Sequence, residues 1–239
     1  IDSYFGAGDA KDLLTVLGNY YPEDHQIWGA IRKLAIEDAE QKMKGNPEQW
    51  AIYTAASHMN VNVLAGPGSG KTHVLTMKCA KLIYKENVAP SQILVLAYNR
   101  AVVIELKTRL AKLFASLGLS RSASQLHVYT FHGLAKRVCG EQILDSEDIK
   151  SWESQFLNLI QVNPMELKRL FPDIRYVFVD EFQDITQTRL DALFELKKIY
   201  PKTSFFTIGD KDQSIYGFDK VESTDPDYYY KQLYDKLKP

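Results

Sequence analysis

The stretch Ala65-Gly66-Pro67-Gly68-Ser69-Gly70-Lys71-Thr72 constrains this chain more than any other. It fits the phosphate-cradling pattern G-x-x-x-x-G-K-[ST] at every fixed position but the first, where Ala65 stands for Gly. Before it, Val61-Asn62-Val63-Leu64-Ala65 is a short apolar run that can form a buried strand. After it, Lys71 to Tyr84 carries apolar residues at helical spacing (Val74, Leu75, Cys79, Leu82, Ile83). A glycine-rich turn between strand and helix lets backbone N–H groups curl around an anion, and the helix start adds its partial positive charge. In that setting Lys71 reaches the β- and γ-phosphates of a nucleotide, and the Thr72 hydroxyl holds Mg²⁺. The pattern implies that a nucleoside triphosphate binds here.

Charged residues at 25% and hydrophobic ones at 45% give a chain of 239 residues enough apolar surface for a full core, in one large domain or two small ones. No apolar run approaches the roughly 18 residues of a membrane span, and no basic-then-apolar leader opens the sequence. Cys79 and Cys139 fall in helix-like segments without metal spacing, which suits two buried free thiols in a reducing cytoplasm. The net charge of −1 hides a strong asymmetry, because residues 71–137 carry 11 basic and only 2 acidic side chains. Such a basic middle suits a polyanion partner along one face, and equally a set of solvated helix faces.

Residues 1–45 read as a helical preface, with helices over Asp9–Gly18 and Gln26–Lys44 broken by Tyr21-Pro22. Asn46-Pro47 then makes an N-cap and first turn for a helix through Ala56. Further along, strands are expected over Gln92–Tyr98, Gln125–Thr130, Tyr176–Val179 and Ser204–Ile208. Helices are expected over Ala101–Leu117, Phe131–Val138, Trp152–Ile160, Pro164–Leu170, Thr186–Tyr200 and Pro226–Lys238. Apolar strands alternating with helices describe a parallel sheet covered on both faces. Ligands in such sheets sit beyond the carboxyl ends of the strands. The unusual residues of this chain lie there.

After the fourth strand comes Asp180-Glu181-Phe182-Gln183-Asp184. Adjacent carboxylates ending an apolar strand are costly to bury without a cation. Mg²⁺ held by Asp180 supplies one, and Glu181 can then take a proton from an attacking water. The alternative is an acidic helix start that merely favours the helix dipole. After the fifth strand, Gln213 offers an amide able to report on the γ-phosphate. Tyr216 and Phe218 suit stacking of nucleic-acid bases, or packing in the core.

The series AGPGSGKT, ILVLAYNRAVVIEL, VYTFHGLAKRV, FVDEFQD and IGDKDQSIYGF resembles the ordered motifs of the UvrD/Rep/PcrA-type superfamily-one DNA helicases, across about residues 46–221. The resemblance implies a three-layer RecA-like P-loop NTPase domain with a mostly parallel sheet, preceded by an N-terminal helical extension. It implies an ATP site built from Gln49 as adenine reader, Gly66, Pro67, Gly68, Ser69, Gly70, Lys71, Thr72 and His73. Thr72 and Asp180 would hold Mg²⁺, with Glu181 as catalytic base and Gln213 as γ-phosphate sensor. Single-stranded DNA would be gripped by Tyr98, Arg100, Thr130, Phe131, His132, Tyr216 and Phe218. Two of those segments lie in the basic stretch, so charge and motif agree.

Departures from the family pattern matter too. His73 replaces the usual Arg, Asp219-Lys220 replaces an Arg beyond the fifth-strand motif, and residues 140–174 leave room for only a few helices in place of a full helical subdomain. The family's second RecA-like domain does not follow before Pro239. A motor needs two domains that close around ATP. The expectation is therefore an ATPase domain, residues 46–239, that is incomplete as a motor and works with a second RecA-like domain in the cytoplasm or on the nucleoid. A nucleotide-dependent binding module without motor work is the alternative from another class. The ATPase part of a helicase–nuclease is a third. Asp180, Glu181 and Gln213 together favour a hydrolytic machine over the binding module.

Overall fold

A computed structural model describes residues 17, 20–22, 25–116, 120–140, 149–210 and 228–236. Of the expected elements, most of the helix over Asp9–Gly18 and the end of the Ala101 helix at Gly118 lie outside them, as do Gln213, Tyr216 and Phe218. In chain order the helices are α1 (Ile27–Lys44), α2 (Pro47–Thr54), α3 (Lys71–Tyr84), α4 (Arg100–Ser116), α5 (Ser120–Gln125), α6 (Phe131–Cys139), α7 (Ile149–Val162), α8 (Pro164–Leu170), α9 (Gln187–Ile199) and α10 (Tyr228–Lys236). The strands are β1 (Val61–Leu64), β2 (Ile93–Ala97), β3 (His127–Thr130), β4 (Tyr176–Val179) and β5 (Ser204–Gly209).

All five strands are parallel, in the order β1-β5-β4-β2-β3. Because side chains alternate along a strand, each apolar run feeds two cores. Leu94, Leu96, Val177, Val179 and Phe205 pack with α6 to α10 on one face. Ile93, Val95, Ala97, Phe178, Phe206 and Ile208 pack with α3 and α4 on the other. That burial on both faces is why β2, β4 and β5 read as continuous apolar runs. The expected three-layer arrangement is present, and the sheet is wholly parallel.

Several boundaries differ from the expectation. Gln92 belongs to a 3₁₀ turn, Pro90–Gln92, and Tyr98 lies past the end of β2. Gln125 closes the short helix α5, which the polar run Ser120–Gln125 gave no periodicity to reveal. Helix α2 stops at Thr54, two residues early. Cys79 is buried but Cys139 only half-buried, so the expected pair of buried thiols reduces to one.

Helix α1 lies against α2. Tyr53 donates its hydroxyl to Glu40 at 2.6 Å, and Met43, Tyr53 and Met77 form a small apolar cluster there. In the 140–174 stretch, α7 sets Phe156 and Ile160 into the core beside α6 and α9, and α8 adds Leu167.

A candidate nucleotide site and the cluster beside it

Glycine-rich turn and helix start are built as the residue types require. Gly68 and Gly70 have φ of 71° and 83°, a region other residues enter at a cost. Gly70 gives way to α3, whose first two residues are Lys71 and Thr72, and Val74 N donates to Gly70 O at 3.1 Å. Gly66, Pro67 and Gly68 are exposed, Ser69 and Gly70 half-buried, and His73 exposed. Lys71 donates to the Ala65 carbonyl at 3.1 Å and sits 3.8 Å from the Asp210 carboxylate at the end of β5. The loop also joins the sheet, since Ala65 N donates to Gly209 O at 3.0 Å.

Gln49 stands in the first turn of α2, where Asn46 caps by accepting from Gln49 N at 3.1 Å. Its side-chain amide donates to Ser69 O at 2.7 Å. The residue expected to read adenine thus also braces the phosphate loop. Lys78 anchors the other end of that helix, donating to Tyr53 O at 3.0 Å and also to Ala55 O. This satisfies carbonyls that a helix end leaves open. Burial pulls its ammonium down from 10.5 to about 8. A Lys in the middle of an apolar helix was the only hint of this role in the sequence.

At the end of β4, Asp180 is 3% exposed and Glu181 follows with φ of 52°. Left-handed backbone at a non-glycine costs on the order of 1–2 kcal/mol. The turn Phe182–Asp184 follows at once. Burial, and then the Glu181 charge, push Asp180 up from 3.8 to about 6, while the Lys71 charge pulls it back down. The Lys71 charge is thus felt at Asp180, at the carboxyl end of the sheet.

Gln183, which sequence reasoning passed over, links the parts. It donates to Glu181 Oε2 at 2.7 Å and accepts from Asp210 N at 2.8 Å. A Cβ at Gly209 would stand 2.2 Å from the Tyr230 hydroxyl, 2.8 Å from Gln183 Oε1 and 3.0 Å from Gln183 N, so a side chain there would displace these groups. Asp210 stands in the fifth-strand motif, where residue type alone implies no role for it. Its side chain, 2% exposed, faces Lys71.

Does this donor set fit a nucleotide and its metal? The Ser69 hydroxyl is buried with no hydrogen-bond partner among the described residues, and the helix start and Lys71 surround it with positive potential. Asp180 is a buried carboxylate whose charged form lacks solvation, and Thr72 stands at the start of α3. Mg²⁺ in such sites uses one or two protein ligands and completes its shell with phosphate and water. The residues fit both groups.

A second cluster lies next to the first. Tyr98 and Phe131 flank the Arg189 guanidinium, with ring centroids 5.0 and 5.3 Å from its central carbon. Arg189 donates to Glu153 Oε1 at 2.7 Å, and His132 Nε2 meets the same oxygen at 3.1 Å. Burial, the largest cause, and the Arg189 charge lower the His132 imidazole, and Glu153 opposes them. Thr130 caps α6 by accepting from Gly133 N at 2.9 Å. Arg100 opens α4, exposed, after Asn99 caps that helix by accepting from Val102 N at 2.9 Å. The structure thus brings Tyr98, Phe131 and His132 together and leaves Arg100 apart from that cluster. Glu153 and Arg189 carried no motif that could single them out.

The profile of the UvrD/REP helicase N-terminal domain matches residues 45–158 and 142–226. DNA helicase II of Escherichia coli is 37% identical over 105 residues, covering 39% of this chain and 14% of that protein. The mitochondrial ATP-dependent DNA helicase HMI1 of Saccharomyces cerevisiae is 36% identical over 103 residues, 41% of this chain and 14% of its own length. A probable DNA helicase II homolog of Mycoplasma genitalium is 27% identical over 183 residues, 74% of this chain and 25% of its own. The chain therefore aligns with a quarter or less of the length of these relatives. On the family match, over a wholly parallel sheet whose strand ends gather Lys71, Asp180 and Glu181, this chain belongs to the UvrD/REP helicase N-terminal domain family.

Proposed function

We propose that residues 46–239 form the ATP-binding, ATP-hydrolysing first motor domain of a DNA helicase that moves on single-stranded DNA. In this reading residues 1–45 are assigned to a helical N-terminal extension and 140–174 to a short helical insert. The observation that carries the reading is the Lys71 ammonium at the end of the glycine-rich loop, 3.8 Å from Asp210 and within electrostatic reach of the buried Asp180, which Glu181 follows. A cytoplasmic or nucleoid-associated place of action goes with a DNA substrate.

In this reading Gln49 holds the adenine edge and the loop together, and the backbone N–H groups after Gly66 cradle the phosphates. Lys71 exchanges its present acceptors for phosphate oxygens. Mg²⁺, held by Thr72 and Asp180, would neutralise charge on those oxygens. Glu181 accepts the proton of the attacking water, and Gln183 orients its carboxylate. Gln213 is assigned the γ-phosphate by resemblance alone. Closure of a second RecA-like domain over this surface supplies the other wall of the ATP cleft.

The test is nucleotide binding and ATP hydrolysis with and without single-stranded DNA, in this chain and in any longer chain that contains it. Nucleotide binding by this chain and DNA-stimulated turnover by the longer one are expected. Glu181→Gln should keep ATP binding and lower turnover by about 10²–10⁴-fold. Turnover that persists in this variant removes Glu181 as the base, and failure of the chain to bind nucleotide removes the whole reading.

A further inference from the structure

Among the described residues, two buried and oppositely charged side chains outside the nucleotide machinery pair with each other. Arg189 is 7% exposed and Glu153 9%. Glu153 comes from α7, in the insert, while Arg189 stands in the first turn of α9, just after the Phe182–Asp184 turn. Between them they touch three of the residues assigned to DNA, namely Tyr98, Phe131 and His132. The crevice beside Arg189 is lined also by Asp180, Glu181 and Asp184.

An apolar pair of similar size would stabilise this core as well as an ion pair does, because desolvation consumes most of the Coulombic gain. The pair also occupies an unusual place. One end of Arg189 is fixed by a carboxylate of the insert, its face is fixed by two aromatic rings, and its backbone N–H is directed at the Thr186 cap of α9 at 3.4 Å. The turn before that cap carries Gln183, which holds Glu181 and Asp210 N. From Tyr98, Phe131 and His132 the path to Glu181 runs through Arg189, its backbone bond to the Thr186 cap, the chain from Thr186 back to Gln183, and the Gln183 amide.

We propose that Arg189, held by Glu153, is the positioning residue that couples single-stranded DNA at Tyr98, Phe131 and His132 to the Asp180–Glu181 carboxylates. The inference rests on the ATP- and DNA-binding reading above. A base stacking on the half-buried Tyr98 ring, or a phosphate drawing on His132, alters the partners that Arg189 and Glu153 share. The start of α9 and Gln183 then shift with it. Coupling of this kind is reciprocal, so nucleotide must change DNA affinity by the factor with which DNA changes nucleotide affinity.

The test is anisotropy of a fluorescein-labelled oligothymidylate titrated with this chain, with and without Mg²⁺ and ATPγS, together with ATPγS binding alone. In the wild type, nucleotide should shift DNA affinity by about tenfold. Glu153→Gln combined with Arg189→Met removes both charges, so that neither is buried alone, and should bring that shift within about twofold of unity. Arg189→Lys keeps the charge toward Glu153 but loses the planar stack, and should restore part of it. A full tenfold shift in the double variant overturns the proposal. A wild type that binds both ligands without coupling overturns it too, and leaves the ATPase reading standing. A wild type that binds neither removes both.

Discussion

The phosphate loop and the Glu153–Arg189 cluster both follow the carboxyl ends of strands, yet they are held by opposite means. The loop is a run of consecutive residues whose shape comes from glycine φ angles, a helix start and short-range bonds such as Ser69 N to Gly66 O at 3.4 Å. Much of it is exposed. The cluster joins residues 36 positions apart, Glu153 and Arg189, in a setting where water is nearly excluded. A surface formed by backbone tolerates change in side chains, whereas buried charges tolerate none that leaves one of them alone.

The largest effect should come from breaking the cluster on one side. Glu153→Ala leaves the Arg189 guanidinium buried between two rings and should destabilise the chain by about 3–5 kcal/mol. Denaturant unfolding measures it, and a loss below about 1 kcal/mol would mean that solvent reaches Arg189 after all. Smaller, and on the loop side, Gly70→Ala forces a side chain into left-handed backbone, with its Cβ 2.5 Å from Gln49 Nε2. A loss of about 1–2 kcal/mol is expected from the backbone alone. Gly66→Ala, where an added Cβ meets nothing within 4 Å, should stay within about 0.5 kcal/mol. Equal losses at the two glycines would show that conformation does not set the loop.

The smallest effect concerns Lys78, which is buried like the cluster but serves the loop through α2. Its folded pKa lies below the unfolded one, about 8 against 10.5, so the unfolded chain binds the proton more tightly. The penalty for burying the charge is full below about pH 8 and is relieved as pH rises through it. Wild-type stability should therefore gain about 1 kcal/mol between pH 7 and 9 relative to Lys78→Met, in matched unfolding curves. Parallel curves would show that the ammonium is solvated.

The same contrast explains what could be read in advance. Helix α3 matched its expected bounds of Lys71 and Tyr84 because apolar spacing, a glycine N-terminal to it and a phosphate-loop signature all agree. The strands matched to within one or two residues, since burial on both faces leaves little room for polar residues. Helix α5 was missed because six largely polar residues carry no period. Within the site, Lys71, Thr72, Asp180 and Glu181 were legible from residue type and place along the chain. Gln183 and Asp210 carry no role that residue type reveals, because their meaning depends on the approach of β5 to the turn after β4.

By itself the sequence determined the alternation of strands and helices, the glycine-rich turn and the paired acids, because each follows from local geometry or from spacing along one element. Only the tertiary structure decided that Gln49 braces the loop, that Lys78 closes α2, and that Glu153 of the insert meets Arg189 between Tyr98 and Phe131. Those contacts join segments far apart in the chain. Their free energy exists only once packing has excluded water from the charges, and no local pattern of residues encodes that exclusion.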